Sequence, residues 1–594
     1  MESGSFLLGL AAICGAGSAI PSLRRLPATL QLALLSGSVA LFARALLVVD
    51  GRYAEVADTA SRATSWPYRL AGLWGGPRSS MLMFTWCVAL VTAVAVEHRQ
   101  GGRTAAILRA LIISALCTVT LLFANPFKVL DVPAVDGGGL TPILRHPAML
   151  IHPPLLYVGL TLCIAAAINE LTHVGRNNTV ADTHGVADNN SVADNKAALA
   201  AWSILAFALA LGSWWAYAEL GWGGVWGWDP IENAGLLPWL LLTASVHLRR
   251  GGSPRAARIL VVCAGWFALA GTVLTRSGAG QSVHAFADAR QLGRALAAVL
   301  LVAAVGASLL LARHRGEPVR LETKSPIATT AAVLSGLAAI VVVVGTAAPL
   351  VADLFGRDAF SVEGFFFARL LLPIALAALV LVGLGSRPSR TRILVGGGSM
   401  ISALVVGEAL WPWWCALLLA TSMLAATLIV PARSTAMMVA HAGFVLLLGG
   451  VAMSSTGTSA TVGLRPGRDV VVQRHRVRFV RLEHRTDDPQ RDRIVAVLEL
   501  TGSGSPQFLR PSLDRWVGTS APLAESATAS PRWVDLQVVL RRVIRNTQTP
   551  DSAIVIDIHV RPLIRLVWWG AALMGLGAVL AMAHRGRVTA RIVK

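Results

Sequence analysis

The sequence predicts an all-α polytopic membrane protein, with about fifteen transmembrane helices and a small β-rich extracytoplasmic domain before the last helix. Two compositional observations predict the membrane class: 55% of the 594 residues are apolar and only 14% are charged, whereas soluble domains have about 45–50% and about 25%. They exclude a soluble enzyme and a disordered chain. The third observation is the stretch 455–562, which lacks spans and partly alternates in the manner of β-strands.

The predicted spans are apolar stretches of about 17–25 residues, the length that crosses a bilayer. The first lacks a basic leading region and a small-residue cleavage site, so we expect a retained helix and not a cleaved signal. The fifteen spans cover approximately residues 5–22, 28–49, 80–97, 104–124, 149–169, 197–218, 231–248, 257–275, 293–312, 328–350, 367–385, 392–409, 411–430, 435–453 and 564–583.

The distribution of arginines predicts the topology. Short loops that alternate along the chain concentrate Arg and Lys, as in 249–258 and 313–324, and so does the tail 585–594. Because basic loops are retained in the cytoplasm, we expect the N-terminus outside and the C-terminus in the cytoplasm. This placement also accounts for the net charge of +20, so we expect no nucleic-acid partner.

Three domains follow from this topology: a transmembrane domain (1–454), the extracytoplasmic β-rich domain (455–562), and a final helix with a cytoplasmic tail (563–594). The loop 176–196 repeats Val-Ala-Asp three times and is predicted to be a flexible low-complexity insert. All six cysteines lie in apolar runs and no two form a C-x-x-C pair, which argues against a zinc site or a disulfide scaffold.

The most informative segment is the predicted outer loop 219–240, ELGWGGVWGWDPIENAGLLPWL. It contains Trp222, Trp226, Trp228 and Trp239, with glycines between the first three. Tryptophan is enriched at membrane interfaces, so a plain aromatic belt is one interpretation. Glycines let a flat ligand approach the backbone, which favours a platform where indole rings stack on a planar ligand. The residues alone leave both interpretations open.

The end of this loop carries a helix-start signal. Asp229 and Pro230 precede Glu232 and Asn233, which places acidic side chains at the positive end of the next helix. The run WGGVWGWDPIEN resembles the WWD motif of the haem-handling proteins of cytochrome c maturation, a family that includes CcmF, CycK, CcmC and the CcsA-type proteins. The resemblance implies haem-binding roles for Trp222, Gly223, Gly224, Trp226, Trp228, Asp229, Pro230, Glu232, Asn233 and Trp239.

Two histidines lie on the predicted outer side, on either side of the tryptophan loop in sequence. His152 is at the start of the fifth span, where Pro153-Pro154 is a helix-opening signal. His284 follows the eighth span. Isolated loop histidines are ordinarily solvated, but two neutral imidazoles are also a common axial pair for haem iron. Beside a Trp/Gly platform they are candidate ligands.

Two further histidines, His247 and His441, lie within apolar spans, where an ionisable side chain is a functional candidate by default. His441 is about six residues, or about 9 Å, from the inner end of its span, and His247 is near the inner third of its own. The similar depths suit two ligands of one group. The alternative is that His247 is an interfacial neighbour of Arg249 and Arg250.

The four histidines make the chain resemble CcmF, the haem lyase subunit. The resemblance implies that His152 and His284 hold an incoming haem at the WWD loop, and that His247 and His441 hold a resident haem b, the electron donor. It further implies a multi-pass protein of the bacterial cytoplasmic membrane with its active face outside. A CcmE-type chaperone delivers haem, CcmH/CcmI-type partners handle thiols, and haem is attached to the CxxCH cysteines of apocytochrome c.

Two positions in this chain need separate comment. The family loop before the third span is close to WGxxEGS, whereas this chain has WGGPRSS at Trp74–Ser80, with Arg78 near the place of the acidic residue. Arg276 lies at the outer end of the eighth span, where its guanidinium suits a haem propionate. An interfacial anchoring arginine is the alternative.

Two other functions remain open from the sequence. A haem transporter would need ionisable residues at several depths, but the spans carry few beyond the two inner histidines: Arg44, Arg109 and Glu408. A non-catalytic assembly scaffold would bind haem proteins but no haem. An absorption spectrum distinguishes the scaffold, because it would show no Soret band.

Overall fold

The computed structural model describes residues 2–15, 26–96, 98–173, 196–277, 290–312, 324–355, 362–385, 390–410, 413–428, 434–488, 491–502, 505–516, 522–544 and 552–592. Two predictions, the insert at 176–195 and the candidate ligand His284, lie outside these residues.

The helices follow the apolar stretches of the sequence. Residues 2–173 contain α1 (Ser3–Cys14), α2 (Leu26–Val48), α3 (Ala54–Thr59), α4 (Trp66–Gly75), α5 (Pro77–Ala95), α6 (His98–Phe123) and α7 (Ala148–His173). The remainder contains α8 (Lys196–Glu219), α9 (Pro230–Gly251), α10 (Pro254–Arg276), α11 (Arg290–Ala312), α12 (Pro326–Leu354), α13 (Gly364–Gly385), α14 (Arg390–Leu410), α15 (Trp413–Leu428), α16 (Thr435–Ser455) and α17 (Arg565–Ile592).

The predicted fold class is confirmed. Each of the fifteen predicted spans overlaps a helix, and eleven helices in the described residues are long and apolar enough to cross a membrane, so the number of about fifteen transmembrane helices stays a prediction. Helices α1 and α15 contain shorter apolar stretches. Helices α3 and α4 were not predicted, because they are short and lie in the segment between two spans.

One compact unit comprises Met1–Leu209, Trp228–Leu381 and Ala578–Lys594. Within it, α9 packs against α10 and α12, and α7 packs against α10 and α5. Glu170 of α7 forms ion pairs with Arg249 of α9 and Arg258 of α10. These pairs join three helices at the end of α9 opposite the tryptophan loop, and the carboxylate that joins them is buried.

In the same unit, the segment with α3 and α4 pairs with the segment between α6 and α7. The N–H of Ala54 donates to the carbonyl of Lys128 at 2.9 Å, and the N–H of Leu130 donates to that of Arg52 at 2.8 Å. These bonds satisfy backbone groups in segments without regular structure. They fix the start of α3 to residues 128–130.

The second compact unit comprises Ala210–Gly227 and Val382–Gly577. The described residues of its β-rich part form nine strands: β1 (Ser459–Leu464), β2 (Asp469–Val472), β3 (His475–Asp488), β4 (Arg491–Thr501), β5 (Gln507–Leu509), β6 (Ser512–Trp516), β7 (Leu523–Ala529), β8 (Val534–Ile544) and β9 (Ala553–Pro562). All recorded pairings are antiparallel, in the order β1-β9-β8-β7-β6-β4-β3-β2, and β5 pairs with β4. The predicted β-rich domain before the last helix is thus confirmed.

Alternate residues of the central strands fill the β core. On β8, Leu536, Val538 and Leu540 are fully buried in it, and on β9 the same holds for Ile556 and Ile558. Because side chains alternate across a strand, the residues between them face the opposite side of the sheet. That opposite face carries Gln537, Val539, His559 and Arg561.

Candidate functional site

The tryptophan loop connects α8, which ends at Glu219, to α9, which begins at Pro230. Three of its residues have left-handed backbone: Gly221 (φ 63°), Gly223 (φ 73°) and Trp228 (φ 58°). Glycine adopts this conformation without steric cost, whereas tryptophan adopts it only at a steric cost. Such a conformation at a bulky residue persists only where surrounding contacts hold it, and it often marks a functional position.

The last turn of α8 and the first half of the loop, together residues 217–227, belong to the second unit and contact the sheet. Arg561 Nε donates to the carbonyl of Gly223 at 2.5 Å. His559 Nε2 lies 3.3 Å from the carbonyl of Gly221, and since a carbonyl only accepts, this nitrogen is the donor. The pKa of His559 is lowered, first by burial and then by the charge of Arg561. The neutral ring therefore binds the loop.

The glycines of this half are approached by the protein's own side chains. A Cβ at Gly223 would lie 2.6 Å from His559 Cγ, and one at Gly221 would lie 3.1 Å from Val539 Cγ2. A Cβ at Gly224 would lie 2.0 Å from the ring of Trp222. Glycine is therefore needed at these positions because other groups approach the backbone closely. These groups are an indole ring and side chains of the β-strands.

The second half of the loop starts at Trp228, in the first unit. Its indole stacks on Phe367 with ring centroids 4.6 Å apart and planes at 3°. Asn233 Nδ2 donates to the carbonyl of Trp228 at 3.1 Å and to Thr346 Oγ1 at 3.0 Å. The stack and the Asn233 amide hold the left-handed backbone of Trp228. Because Phe367 stacks on the indole, one face of this ring is covered by the protein.

The predicted helix start is confirmed. Asp229 caps α9, and its Oδ1 accepts from the N–H of Ile231 at 2.7 Å. Glu232 reaches back to accept from the N–H of Asp229 at 3.4 Å, which completes a capping box. Both carboxylates therefore satisfy amides of the first turn and favour the positive helix end. Their position is explained by local structure.

Trp239, Thr243 and His247 recur at four-residue spacing on one face of α9. Trp239 stacks on Trp202 of α8, with ring centroids 5.3 Å apart. The indole N–H of Trp202 donates to Thr243 Oγ1 at 2.7 Å. His247 Nδ1 lies 2.9 Å from the carbonyl of Thr243. This face connects the end of the tryptophan loop to the partly buried His247 within one helix.

The three described candidate histidines share one geometry. Nδ1 lies 2.8 Å from the carbonyl of Ala208 in His152, 2.9 Å from that of Thr243 in His247, and 2.7 Å from that of Met437 in His441. A carbonyl cannot donate, so Nδ1 carries the proton. The lone pair of each neutral ring then lies on Nε2, the nitrogen that can coordinate iron. The donor set therefore fits axial haem ligation.

His441 lies in the second turn of α16, where α17 approaches closely. A Cβ at Gly443 would lie 2.5 Å from the carbonyl oxygen of Gly570. Glycine at both positions lets the two helix backbones meet next to the histidine. His247 lies one turn before the end of α9 at Gly251, so each histidine has the predicted position within its own helix.

His152 lies within α7 and not at its start. The helix begins at Ala148, and Pro153 and Pro154 are inside it. Proline cannot donate to the carbonyl four residues before it, so Pro153 leaves the carbonyl of Met149 open. Trp74 Nε1 donates to that carbonyl at 2.8 Å. The prolines therefore create an acceptor for the WGGPRSS loop beside His152.

The same loop contacts two more charged side chains. Arg276 is buried, and its Nη2 donates to Ser80 Oγ at 3.0 Å. Glu55 of α3 is fully buried, and its Oε1 accepts from the N–H groups of Arg78 and Ser79, each at 2.8 Å. Burial raises the pKa of Glu55, and the Ser79 and Arg78 contacts oppose that rise. Glu55 thus supplies a carboxylate to a loop that lacks its own.

The comparisons with known proteins agree with this arrangement. The family model described as "Cytochrome C assembly protein" matches residues 74–277, which places the chain in the class of cytochrome c assembly proteins. The chain is 30% identical to the cytochrome c-type biogenesis protein CcmF of Pseudomonas aeruginosa, over 95% of this chain and 91% of that protein. The chain belongs to the CcmF family.

Other similar proteins cover nearly the whole chain. A probable cytochrome c-type biogenesis protein NrfE of Escherichia coli is 29% identical over 93% of each chain, and CycK of Bradyrhizobium diazoefficiens is 28% identical over 96% of this chain and 92% of that protein. The solved structure of a cytochrome c haem lyase CcmF matches with a TM-score of 0.76 at 22% identity, and covers 97% of this chain and 96% of that one. This structural likeness shows the fold.

Several residues at the site were not anticipated from the sequence. Trp74 and Glu55 reach partners that are distant along the chain, and His559 and Arg561 lie in a domain without a catalytic signature. The signal that could have indicated Trp74 is Pro153, because a proline inside a helix opens a carbonyl one turn earlier. No comparable local signal indicates His559 or Arg561.

Proposed function

We propose that this chain acts in cytochrome c maturation by binding haem at the outer face of the bacterial cytoplasmic membrane and attaching it to apocytochrome c. The observation that supports this most strongly is the shared geometry of His152, His247 and His441. Each ring donates from Nδ1 to a backbone carbonyl, as metal-bound histidines do. Membership of the CcmF family supports the same class of function.

The outer site receives haem as a substrate. His152 and His284 are its axial ligands, and Trp222, Trp226 and Trp228 offer stacking faces. A CcmE-type chaperone delivers the haem, and CcmH/CcmI-type partners present the apocytochrome. Each CxxCH thiol adds across a vinyl group, so that one C–S and one C–H bond form while the S–H bond and the π bond of the vinyl group break. The six cysteines of this chain are free, and four of them are buried, which fits thiols supplied by the substrate.

His247 and His441 are the proposed ligands of a resident haem b, which supplies an electron to the outer site when bound. A carbonyl of its own helix fixes each imidazole. Removal of the iron would leave polar ring atoms in hydrocarbon, which is costly. We therefore expect this group to be retained during purification and the outer haem to exchange.

Arg276 is the proposed partner of a haem propionate at the outer site. Its guanidinium is buried and is oriented by Ser80, and a carboxylate that accepts from such a group forms a strong charge-assisted bond. Arg276→Lys should weaken outer haem binding and leave the resident haem b in place. An equal loss of outer haem affinity in Arg276→Lys and Arg276→Gln would support this specific role, because both variants lack the planar guanidinium with its paired donors.

The proposed orientation is N-terminus outside, β-rich domain outside and C-terminus in the cytoplasm. It rests on the arginine distribution. A reporter fused after Lys594 should behave as cytoplasmic, and one inserted near Ser503 as external. If both reporters lie on the same side, the orientation is wrong.

The deciding experiment measures haem content in histidine variants purified after haem-replete expression. His247→Ala and His441→Ala should lack the resident b-type spectrum, whereas His152→Ala and His284→Ala should keep it and fail to mature cytochrome c. Pyridine haemochrome stoichiometry measures each variant. His484→Ala is the matched control, because His484 is exposed in the β-rich domain and paired with Asp492.

Two results would contradict the proposal. Wild-type protein without a Soret band would favour a scaffold that binds no haem. Loss of the resident haem from the outer variants, with retention in the inner ones, would mean that the two histidine pairs are assigned to the wrong haems.

A further inference from the structure

The side of the β-sheet that faces away from its core binds the first half of the tryptophan loop. Five side chains of β7, β8 and β9 donate hydrogen bonds to main-chain carbonyls, two of them in the last turn of α8 and the others in the loop that follows. The donors and acceptors are Ser526 to Ala218 (2.7 Å), Gln537 to Tyr217 (2.6 Å), Arg541 to Gly221 (3.2 Å), His559 to Gly221 (3.3 Å) and Arg561 to Gly223 (2.5 Å).

These donors are organised by the register of the sheet. Gln537 is directly opposite His559 across β8 and β9, and His559 is opposite Ser459 across β9 and β1. Ser459 Oγ lies 2.8 Å from His559 Nδ1, which accepts because Nε2 carries the proton. Gln537, His559 and Ser459 thus form a row across three strands. This row holds the imidazole of His559 with Nε2 toward the loop.

Burial indicates that the loop covers this face. Gln537 is fully buried, and His559 is 7% exposed, although both alternate with core residues and point away from the core. Polar side chains on such a face are ordinarily solvated. Gln537 Nε2 also donates to Ser526 Oγ at 3.1 Å, whereas the Nε2 proton of His559 is given to the Gly221 carbonyl. A buried donor is costly without an acceptor, so both side chains are stabilised by the segment that covers them.

All five bonds go to main-chain carbonyls and none to an indole. The contacts therefore specify the path of the backbone between Tyr217 and Gly223, and they leave the tryptophan side chains for another role. Arg541 also pairs with Asp557 at 2.5 Å, which orients its guanidinium. The five bonds fall on seven consecutive residues, 217–223.

We propose that the β-rich domain is a clamp, formed by Ser526, Gln537, Arg541, His559 and Arg561, that fixes the backbone of residues 217–223 and so positions Trp222 and Trp226 for haem. The clamp residues are positioning residues, because they contact the loop and not the substrate. The haem consequence rests on the proposed function, whereas the fixed backbone does not.

The test combines two measurements on the full-length protein in detergent. Hydrogen exchange of the amides in 217–227 measures the backbone, and titration with hemin, followed by the Soret band of the exchangeable site, measures outer binding. The variants are Arg561→Ala, Arg561→Lys and Gln537→Met, which keeps volume but removes the donor. Arg542→Ala is the matched control, because Arg542 is exposed on the same strand as Arg541.

The clamp predicts that Arg561→Ala and Gln537→Met lower amide protection in 217–227 by about fivefold or more, the size expected for one lost hydrogen bond. Hemin affinity should fall by a similar factor. Arg561→Lys should recover part of both, and Arg542→Ala should change neither. Core strands β8 and β9 should stay protected in every variant.

Two outcomes would overturn the inference. Unchanged protection in 217–227 for both Arg561→Ala and Gln537→Met would mean that the side chains do not fix the loop. Lower protection with unchanged hemin affinity would mean that the fixed backbone does not position the indoles. If wild-type protein binds no hemin, the proposed function fails, and the exchange result still decides whether the clamp exists.

Discussion

The two halves of the tryptophan loop each contain two tryptophans but are held by different contacts. Residues 217–227 are bound through their backbone by side chains of a β-sheet. Residues 228–243 are bound through a capping box, a stack of two rings and a helix face. The first half depends on long-range polar contacts, whereas the second half combines a local capping box with long-range contacts to Phe367 and Thr346.

The difference shows that glycine and tryptophan residues have different structural roles at different positions of this loop. In the first half, Gly221 and Gly223 accept left-handed backbone and the approach of strand side chains. In the second half, Trp228 itself is left-handed and is held by Phe367 and Asn233. A repeated Trp/Gly pattern therefore combines conformational residues with stacking residues.

The largest expected effect is that of Gly223→Ala. The new Cβ would lie 2.6 Å from His559 Cγ and 2.9 Å from Arg561 Nη2 at a φ of 73°, so left-handed strain of about 1–2 kcal/mol adds to overpacking of about 1–3 kcal/mol. Hydrogen exchange should show a loss of protection in 217–227 and none in α9.

Two glycines of the β-rich domain separate these costs. Gly467 has a φ of 79° with nothing near its would-be Cβ, and Gly463 has open space without positive φ. Gly467→Ala should show only the conformational cost, and Gly463→Ala almost none. A Gly223→Ala variant that behaves like Gly467→Ala would remove the steric part of the argument.

The second largest effect is expected in the second half of the loop, where Asp229 caps α9. Asp229→Ala removes the acceptor for the N–H of Ile231 and should destabilise the first turn of α9 by about 1 kcal/mol, up to about 2. Asp229→Asn keeps an acceptor and should cost less. Exchange of the amides in 230–234 measures the change. Equal loss of protection in 217–223 would show that the halves are not independent.

The third effect concerns the stack of Trp228 on Phe367. A double-mutant cycle with Trp228→Ala and Phe367→Ala should give a coupling free energy of about 0.5–1.5 kcal/mol, which is typical of an aromatic pair. Local exchange at 228–232 provides the free energies. Trp222→Ala with Phe367→Ala is the comparison cycle and should give additive effects. Additivity in the first cycle would contradict a stabilising stack.

The sequence predicted the parts of the fold that are encoded locally. The spans follow from apolar stretches, and the start of α9 follows from Asp229 and Pro230. Partial alternation predicted the β-rich stretch 455–562 as a whole. The break between β2 and β3, where Gln473 has left-handed backbone, was not predicted.

The remaining part of the site could not be predicted because its contacts are remote in sequence. Arg561 and Gly223 are 338 positions apart, and Ser80 and Arg276 are 196 apart. Neither residue of such a pair carries a periodic or capping signal of its own. The haem-binding roles of the predicted residues stay predictions, and among them His284 lies outside the described residues.

The smallest expected effect is that the stability of the contacts between the clamp and residues 217–227 depends on pH, whereas that of the second half of the loop does not. The pKa of His559 is lowered by burial and by Arg561, while Asp557 and the Gly221 carbonyl oppose that change. When the loop opens, the ring returns toward its ordinary pKa of about 6.5. The open form then binds a proton that the closed form excludes. Clamp stability is therefore full above about pH 6.5 and is lost as the pH falls toward the lowered pKa, with a slope of at most about one proton.

His559→Gln should abolish this slope, because glutamine can donate to Gly221 and accept from Ser459 without titrating. Protection factors for 217–227 between pH 7.5 and 5.5, corrected for intrinsic exchange, measure it. His475→Gln is the matched control: burial also lowers the pKa of His475, but this residue is on β3 and not among the clamp residues, so the slope should persist. The amides of 230–234 should show no such slope in any of the three proteins. A slope that survives in His559→Gln would show that another group controls the opening, and the two halves of the loop would then differ in their contacts but not in their response to acid.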